Sequence, residues 1–272
     1  MLLVTGAGGQ LGQELRLVLG EKAMYAGRQE LDITDEHAVK AFFAARDVEL
    51  VINCAAYNAV DQAEDDAQAA ERVNSLGPAL LARYGRRVIH ISTDYVFDGA
   101  SARPWREDDE TRPLSVYGRT KLAGERAVLE EAETAVVIRT QWLYSRFGKN
   151  FVKTMRRLGA EHSSLNVVYD QTGSPTAASD LAAALAALVP QVTPGMKDVF
   201  HYSNEGAISW YDFACAIMRL SGYSCTVCPV ESASWPSRAV RPAYSVLNKS
   251  KIRQRFGLSI PWWLDSLENC LR

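Results

Sequence analysis

Four short apolar runs, LLVT (2–5), ELVINCA (49–55), RVIHIS (87–92) and AVVIRT (135–140), alternate with helical patterns near 10–19, 35–46, 61–83 and 115–132. Runs of this length, rich in Val and Ile and lacking polar alternation, are how strands covered on both faces of a parallel sheet read. Parallel neighbours need a crossover between them, and the helical stretches supply it. KAMYA (22–26) adds a further strand in second place. The alternation implies an α/β fold with a doubly wound parallel sheet of Rossmann type, and few other folds remain open to the chain.

After about residue 140 the rhythm loosens. Short strands near 165–169 and 198–202 flank an Ala-rich helix at 177–189, and a second helix follows at 209–220. Pro and Gly cluster at 190–195, and Trp and Pro recur at 235–242 and 261–263. Residues 1–140 therefore read as one Rossmann-type domain. Residues 141–272 read mainly as a smaller cap on the C-terminal edge of the sheet, with some segments returning to the core.

Bulk properties narrow the function classes. The chain has 272 residues, 47% hydrophobic and 23% charged, with a formal charge of −2. This is the balance of an ordinary globular protein, with no basic surplus for nucleic acid or an anionic membrane surface. No apolar run approaches the roughly 18 to 20 residues that span a bilayer. The opening MLLVTGAGGQLG lacks a basic n-region and a long apolar segment, which points to the cytoplasm. Five cysteines, few and odd in number, read as reduced thiols. Cys225 and Cys228 form a C-x-x-C, but no second pair or nearby histidine completes a zinc set, and Pro229 follows at once. The four histidines are scattered, so no metal site is expected.

At the close of the first strand stands T-G-A-G-G-Q-L-G, with Gly6, Gly9 and Gly12 in a G-x-x-G-x-x-G frame. A tight turn there lets the backbone approach a pyrophosphate, and the helix that follows aims its N–H groups and positive dipole end at it. The placement between a strand and a helix is the context that gives such a motif weight. An acid at the end of the second strand holds an adenosine ribose, whereas an Arg accommodates a 2′-phosphate. That position falls on Gly27 and Arg28, which favours NADPH and leaves NADH open.

The fourth strand runs into S-T-D-Y-V-F-D-G (92–99), and Tyr117 and Lys121 follow four residues apart on the next helix. That spacing puts them on one helix face. Hydride addition to a carbonyl develops negative charge on oxygen, so a proton must be supplied there. Tyr117 suits the acid, Lys121 suits the ammonium that lowers the phenol's pKa, and a Thr93 hydroxyl suits the carbonyl oxygen. Ser92 is an alternative hydroxyl at this strand end.

The glycine motif, Asn74 on a mid-domain helix and Y-x-x-x-K together resemble the extended short-chain dehydrogenase/reductase superfamily. Ten blocks in order narrow the resemblance, among them GAGGQLG, LDIT (31–34), NCAAYNAVDQAE (53–64), STDYVFDG, YGRTKLAGE, DQTGSPT (170–176) and RPAYSVLNK (241–249). They resemble the dTDP-4-dehydrorhamnose reductase family from residue 1 to about 265. The resemblance implies reduction of the C4 keto group of a dTDP-4-dehydro-6-deoxy-hexose with NADPH, to give dTDP-L-rhamnose. It implies Thr93, Tyr117 and Lys121 as the catalytic trio. Gly6, Gly9, Gln10, Leu11, Gly12, Arg28, Asp32, Ile33, Ala55, Ala56 and Tyr57 would line the cofactor. Thr93, Asp94, Tyr95, Trp142, Asn150 and Arg241 would meet the substrate, with Trp142 stacked on the base and Asn150 and Arg241 toward the diphosphate. Some relatives bridge two subunits through magnesium held by carboxylates. Here Glu14 matches one ligand but Ser179 stands at the corresponding cap-helix position, so no structural metal and a monomer or weak homodimer are implied. A nucleotide-binding regulatory subunit of the methionine adenosyltransferase type, or a nucleotide-sugar epimerase, would share much of the pattern. The intact Thr93, Tyr117 and Lys121 favour an enzyme over the first.

Overall fold

The structure, a computed structural model, describes residues 1–234 and 237–272; Trp235 and Pro236, part of the Trp- and Pro-containing stretch noted above, lie outside the described residues. The first half builds the sheet from β1 (Leu2–Thr5), β2 (Ala23–Ala26), β3 (Leu50–Asn53), β4 (Arg87–Thr93) and β5 (Thr134–Thr140). All of them pair in parallel, in the order β5-β4-β3-β1-β2. The chain winds outward from β1 to β2 and then returns to the other side of β1 as β3. A crevice therefore opens at the carboxyl ends of β1 and β3, where open α/β sheets bind ligands.

The connecting helices are α1 (Gln10–Leu19), α2 (Glu36–Ala44), α3 (Val60–Asp65), α4 (Ala67–Glu71), α5 (Gly77–Gly85) and α6 (Val116–Glu131). The single helix expected at 61–83 is broken. Asp66 leaves the helical conformation and its side chain caps α4 by accepting from Ala69 N at 3.1 Å. A short polar side chain that satisfies an N–H in this way competes with helix continuation. Arg72–Leu76 then form a wider π turn before α5.

Beyond the first sheet come β6 (Leu143–Tyr144), α7 (Phe151–Glu161), β7 (Ser164–Val168), β8 (Thr172–Gly173), β9 (Thr176–Ala177) and α8 (Ala178–Leu188). They are followed by β10 (Lys197–His201), β11 (Ile208–Ser209), α9 (Trp210–Ser221), β12 (Thr226–Val230), α10 (Ser250–Phe256) and α11 (Trp263–Leu271). β10 joins the main sheet beside β5, in parallel. On one face of that sheet, Val4, Leu15, Ile52 and Val136 pack with Leu181 and Leu185 of α8. On the other, Leu3, Val51 and Val88 pack with Phe42, Leu81 and Val128. A separate cluster of Tyr144, Met155, Phe213, Ile217 and Trp263 forms the core of the remaining C-terminal elements. Cys228 sits in β12, paired in parallel with β7, and all five cysteines are free thiols. No helix among the described residues is long and apolar enough to cross a membrane.

Candidate active site

The glycine turn is forced by its surroundings. Gly6 has φ +68°, and a Cβ there would lie 2.5 Å from Ala55 N at the end of β3. α1 starts at once, with Gly9 at its N-cap, no side-chain cap and no acid in its first turn. The first N–H groups of a helix have no intrahelical partner, so those of Gln10, Leu11 and Gly12 are left to a ligand. Beside them the 54–57 backbone is pinned: Ala55 N donates to Asn53 Oδ1 at 3.1 Å and Tyr57 N to Asn74 Oδ1 at 2.8 Å. Asn74, held by the π turn, donates back to Tyr57 O and to Thr120 Oγ1.

At the other end, β4 delivers Thr93 and α6 delivers Tyr117 and Lys121. Ser115 caps α6 by accepting from Gly118 N at 3.1 Å, which fixes where the helix begins. Lys121 is buried and its Nζ donates to Ile91 O at 2.6 Å. Burial pulls the Lys121 pKa down to about 8, against the opposing charges of Glu125 and Cys54. Burial pushes the Tyr117 phenol above its ordinary value, with a hydrogen bond to Thr93 drawing it back and the Asp94 charge adding to the rise. Burial outweighs the other influences, so Tyr117 is held protonated. Tyr95 meets it edge-on, ring centroids 5.5 Å apart.

One cavity of about 290 Å³ joins the two ends. Gly9, Gln10, Leu11, Gly12 and Ala56 line it on one side; Thr93, Asp94, Tyr95, Tyr117, Lys121 and Trp142 line it on the other. The residues fit a dinucleotide: uncapped helix N–H groups for a pyrophosphate, and a hydroxyl, a phenol and an ammonium at the far end.

Other expected residues lie elsewhere. The Arg28 side chain is 86% exposed and its Nε lies 3.4 Å from Asp32 Oδ2. Asp32 accepts from Thr34 N and Oγ1, contacts that hold its carboxyl below the usual range. Ile33 is buried in the core against α5. An acid at the end of β2 does exist: Glu30 Oε2 accepts from Gly27 N at 2.8 Å, beside a second cavity of about 590 Å³ that Ala7 and Gly8 also line. Its position four residues past the strand hid it from the sequence reading.

Asn150 caps α7 and spends its amide on Gln10 Oε1, Ser145 O and Phe147 O. Arg241 pairs with Asp61, 2.7 Å from Nη2 to Oδ2, and that contact brings the Asp61 pKa down to about 2. Trp142 has φ +47°, unusual for a bulky residue, and its indole stacks on Trp210 with centroids 3.7 Å apart. Trp210 also borders a larger groove of about 900 Å³ that runs along Phe151, Met155, Leu158 and Val167 to Arg241. Among the described residues that line it, the larger space has no Tyr–Lys pair like Tyr117 and Lys121 of the smaller one. Trp210, Asp61 and Glu30 were not singled out from the sequence.

A family model described as RmlD substrate binding domain matches residues 1–272. A dTDP-4-dehydrorhamnose reductase of Aggregatibacter actinomycetemcomitans is 38% identical, covering 98% of this chain and 97% of its own. One of Mycobacterium tuberculosis is 46% identical over 91% of this chain and 84% of its own. A solved dTDP-4-dehydrorhamnose reductase from Clostridium acetobutylicum has a TM-score of 0.95 at 40% identity, covering 99% of this chain and 98% of that one. Another from Bacillus anthracis, in complex with NADP, has a TM-score of 0.95 at 35% identity, with the same coverage.

Proposed function

The chain belongs to the RmlD family, that of the dTDP-4-dehydrorhamnose reductases, and on that premise we propose how its own residues do the work. It is an NADPH-dependent oxidoreductase that reduces the C4 keto group of dTDP-4-dehydro-6-deoxy-L-hexose to give dTDP-L-rhamnose. The observation that carries this is the single cavity running from the uncapped start of α1 to Thr93, Tyr117 and Lys121. A bound nicotinamide dinucleotide supplies the hydride. Gln10, Leu11 and Gly12 hold its pyrophosphate through backbone N–H groups, and Ala55, Ala56 and Tyr57 form the adjoining wall.

Tyr117 gives its proton to the oxygen of the reduced carbonyl. A phenol kept protonated by burial is loaded for that transfer, and solvent exclusion strengthens its hydrogen bond to a developing alkoxide. Thr93 positions the same oxygen, and Lys121, anchored on Ile91 O, places a positive charge behind the phenol. For the rest of the substrate we assign the base to the groove beside Trp210. One face of Trp142 is already taken by that neighbour. Arg241, at the end of the same groove, meets the diphosphate once it is released from Asp61. Asn150 and Gln10 hold the loop between. We further infer a cytoplasmic enzyme without a structural metal, since Glu14 is buried, accepts from Ser145 Oγ at 2.6 Å and has the Arg146 Nε 3.8 Å away.

The test follows nicotinamide absorbance with purified protein, NADPH and dTDP-4-dehydro-6-deoxy-L-hexose. Oxidation that requires both protein and sugar nucleotide is the expected result. Stoichiometric NADPH binding without oxidation would favour a regulatory nucleotide-binding subunit instead.

A further inference from the structure

Asp94 follows Thr93 directly and is 1% exposed. Its Oδ1 accepts from Thr93 Oγ1 at 3.0 Å, and its Oδ2 has no hydrogen-bond partner among the described residues. Thr93 Oγ1 also accepts from Tyr95 N at 3.2 Å and lies beside the Tyr117 phenol in the same cavity. A hydroxyl has a single proton to give. While that proton points to the Asp94 carboxylate, Thr93 has only lone pairs for its other neighbours. The hydroxyl that should polarise a carbonyl is thereby committed elsewhere.

We infer that Asp94 is a positioning residue for the reduction: its carboxylate takes the Thr93 proton, and neutralising that carboxylate turns Thr93 into a donor to the substrate's carbonyl oxygen. The inference rests on the reductase reading above. Neutral Asp94 donates its own proton to Thr93 Oγ1, and Thr93 passes its hydroxyl proton toward the carbonyl. The oxygen that gains charge on reduction then has two donors, Thr93 and Tyr117, and loses an anion from its surroundings. Both changes favour the transition state over the bound ketone.

The groups that face Asp94 are consistent with this. Thr93 and Tyr95 lie on its own turn, Tyr117 comes from α6, and Ser245 comes from the segment before α10. Among the described residues Asp94 forms no ion pair. Lys121 is held at Ile91 O, and Arg241 acts on Tyr95 while paired with Asp61. Burial pushes the Asp94 carboxyl up to about 6, so the exchange falls in mild acid.

Asp94→Asn tests it, because the amide matches the carboxylate in shape and its N–H stands in for the carboxyl proton. In the unaltered protein, kcat/KM for reduction rises about tenfold as pH falls from about 8 to about 5, with a midpoint near 6. Asp94→Asn stays at the upper level and shows no inflection near 6; any fall toward pH 8, where Lys121 loses its proton, is common to both proteins. Thr93→Val also loses the inflection but stays at or below the lower level. An Asp94→Asn protein that keeps the midpoint, or that is flat at the lower level, overturns the inference. Circular dichroism confirms that each variant is folded. Carbon-13 NMR of labelled aspartate reads the Asp94 midpoint without any turnover. A midpoint absent in the unaltered protein, or unchanged by Asp94→Asn, also overturns it. A protein that shows the midpoint but does not reduce the sugar nucleotide instead overturns the reductase reading.

Discussion

Tyr117 and Asp94 are two residues at which the cost of burying an acid is put to different use. A phenol that stays protonated loses little by being enclosed, and the proposed reduction uses it in that form. Tyr117→Phe removes one oxygen and keeps the ring against Tyr95, so turnover should fall by roughly a thousandfold or more. NADPH affinity, measured by fluorescence quenching, should stay within a few-fold; near-normal turnover would sink the mechanism. Asp94 has a sign of its own. Its folded carboxyl sits near 6 rather than 3.8, so the folded chain binds this proton more tightly than the unfolded chain does. Its burial costs little below about pH 4; the cost grows between about pH 4 and 6 and levels off at roughly 3 kcal/mol above. Asp94→Asn should therefore raise the midpoint of thermal unfolding near pH 7.5 and leave it unchanged near pH 4. A gain of equal size at both values would mean that the carboxylate is not the cause. At this scale Thr93, Tyr117 and Lys121 were legible because one strand end and one helical turn define them. The partners of Asn150 and Arg241 were not, because Gln10 and Asp61 lie 140 and 180 residues away in sequence.

α6 carries the acid, and two contacts on its far side decide where that helix sits. Arg139 on β5 grips Glu125 with Nε at 3.0 Å and Nη2 at 2.8 Å, both side chains being at most 5% exposed. Removing one partner of such a pair leaves an uncompensated buried charge, which costs about 3 to 5 kcal/mol. Arg139→Met should lose that much in urea unfolding. Arg139→Met with Glu125→Leu should recover most of it, since the pair exchanges strong attraction for heavy desolvation. A double variant no better than the single one would show that packing, not charge, is at stake. Gly124 lies on the same helix, and a Cβ there would be 2.0 Å from Asn74 O. Gly124→Ala should push α6 off the π turn and lower both stability and NADPH affinity, measured by thermal unfolding and quenching; an alanine variant normal in both would mean the turn yields at no cost. Element by element, strands and long helices were readable from apolar period. The break at Asp66 and the π turn were not, because a capping aspartate and a shifted hydrogen bond leave the apolar period almost intact. α7, α10 and α11 were also passed over; their apolar faces acquire meaning only against the clusters they bury, the C-terminal one for α7 and α11 and the main-sheet one for α10.

For the molecule as a whole, the division at residue 140 cuts through shared structure. β5 has β4 on one side and needs β10 on the other. Leu181, Leu185, Leu188, Phe200, Ile252 and Phe256 all lie beyond the division, yet they cover the same face as Val4, Leu15 and Ile52. The alternating strands announced the sheet in the sequence, and the later strand near 198–202 was readable too, but its place beside β5 is set by packing and leaves no local mark. A fragment of residues 1–140 would expose that face and leave β5 as an open edge, the two features that drive association between chains. It should bind the dye ANS strongly and melt without a cooperative transition. Co-expression with residues 141–272 should restore a soluble pair that melts as one unit. A fragment that melts cooperatively alone would show that the first half keeps an independent core. The same seam runs through the site: Gln10 and Glu14 of α1 hold Asn150 and Ser145 from the second half. NADPH should therefore bind the reassembled pair and not the fragment, even though the glycine turn lies entirely within the first half.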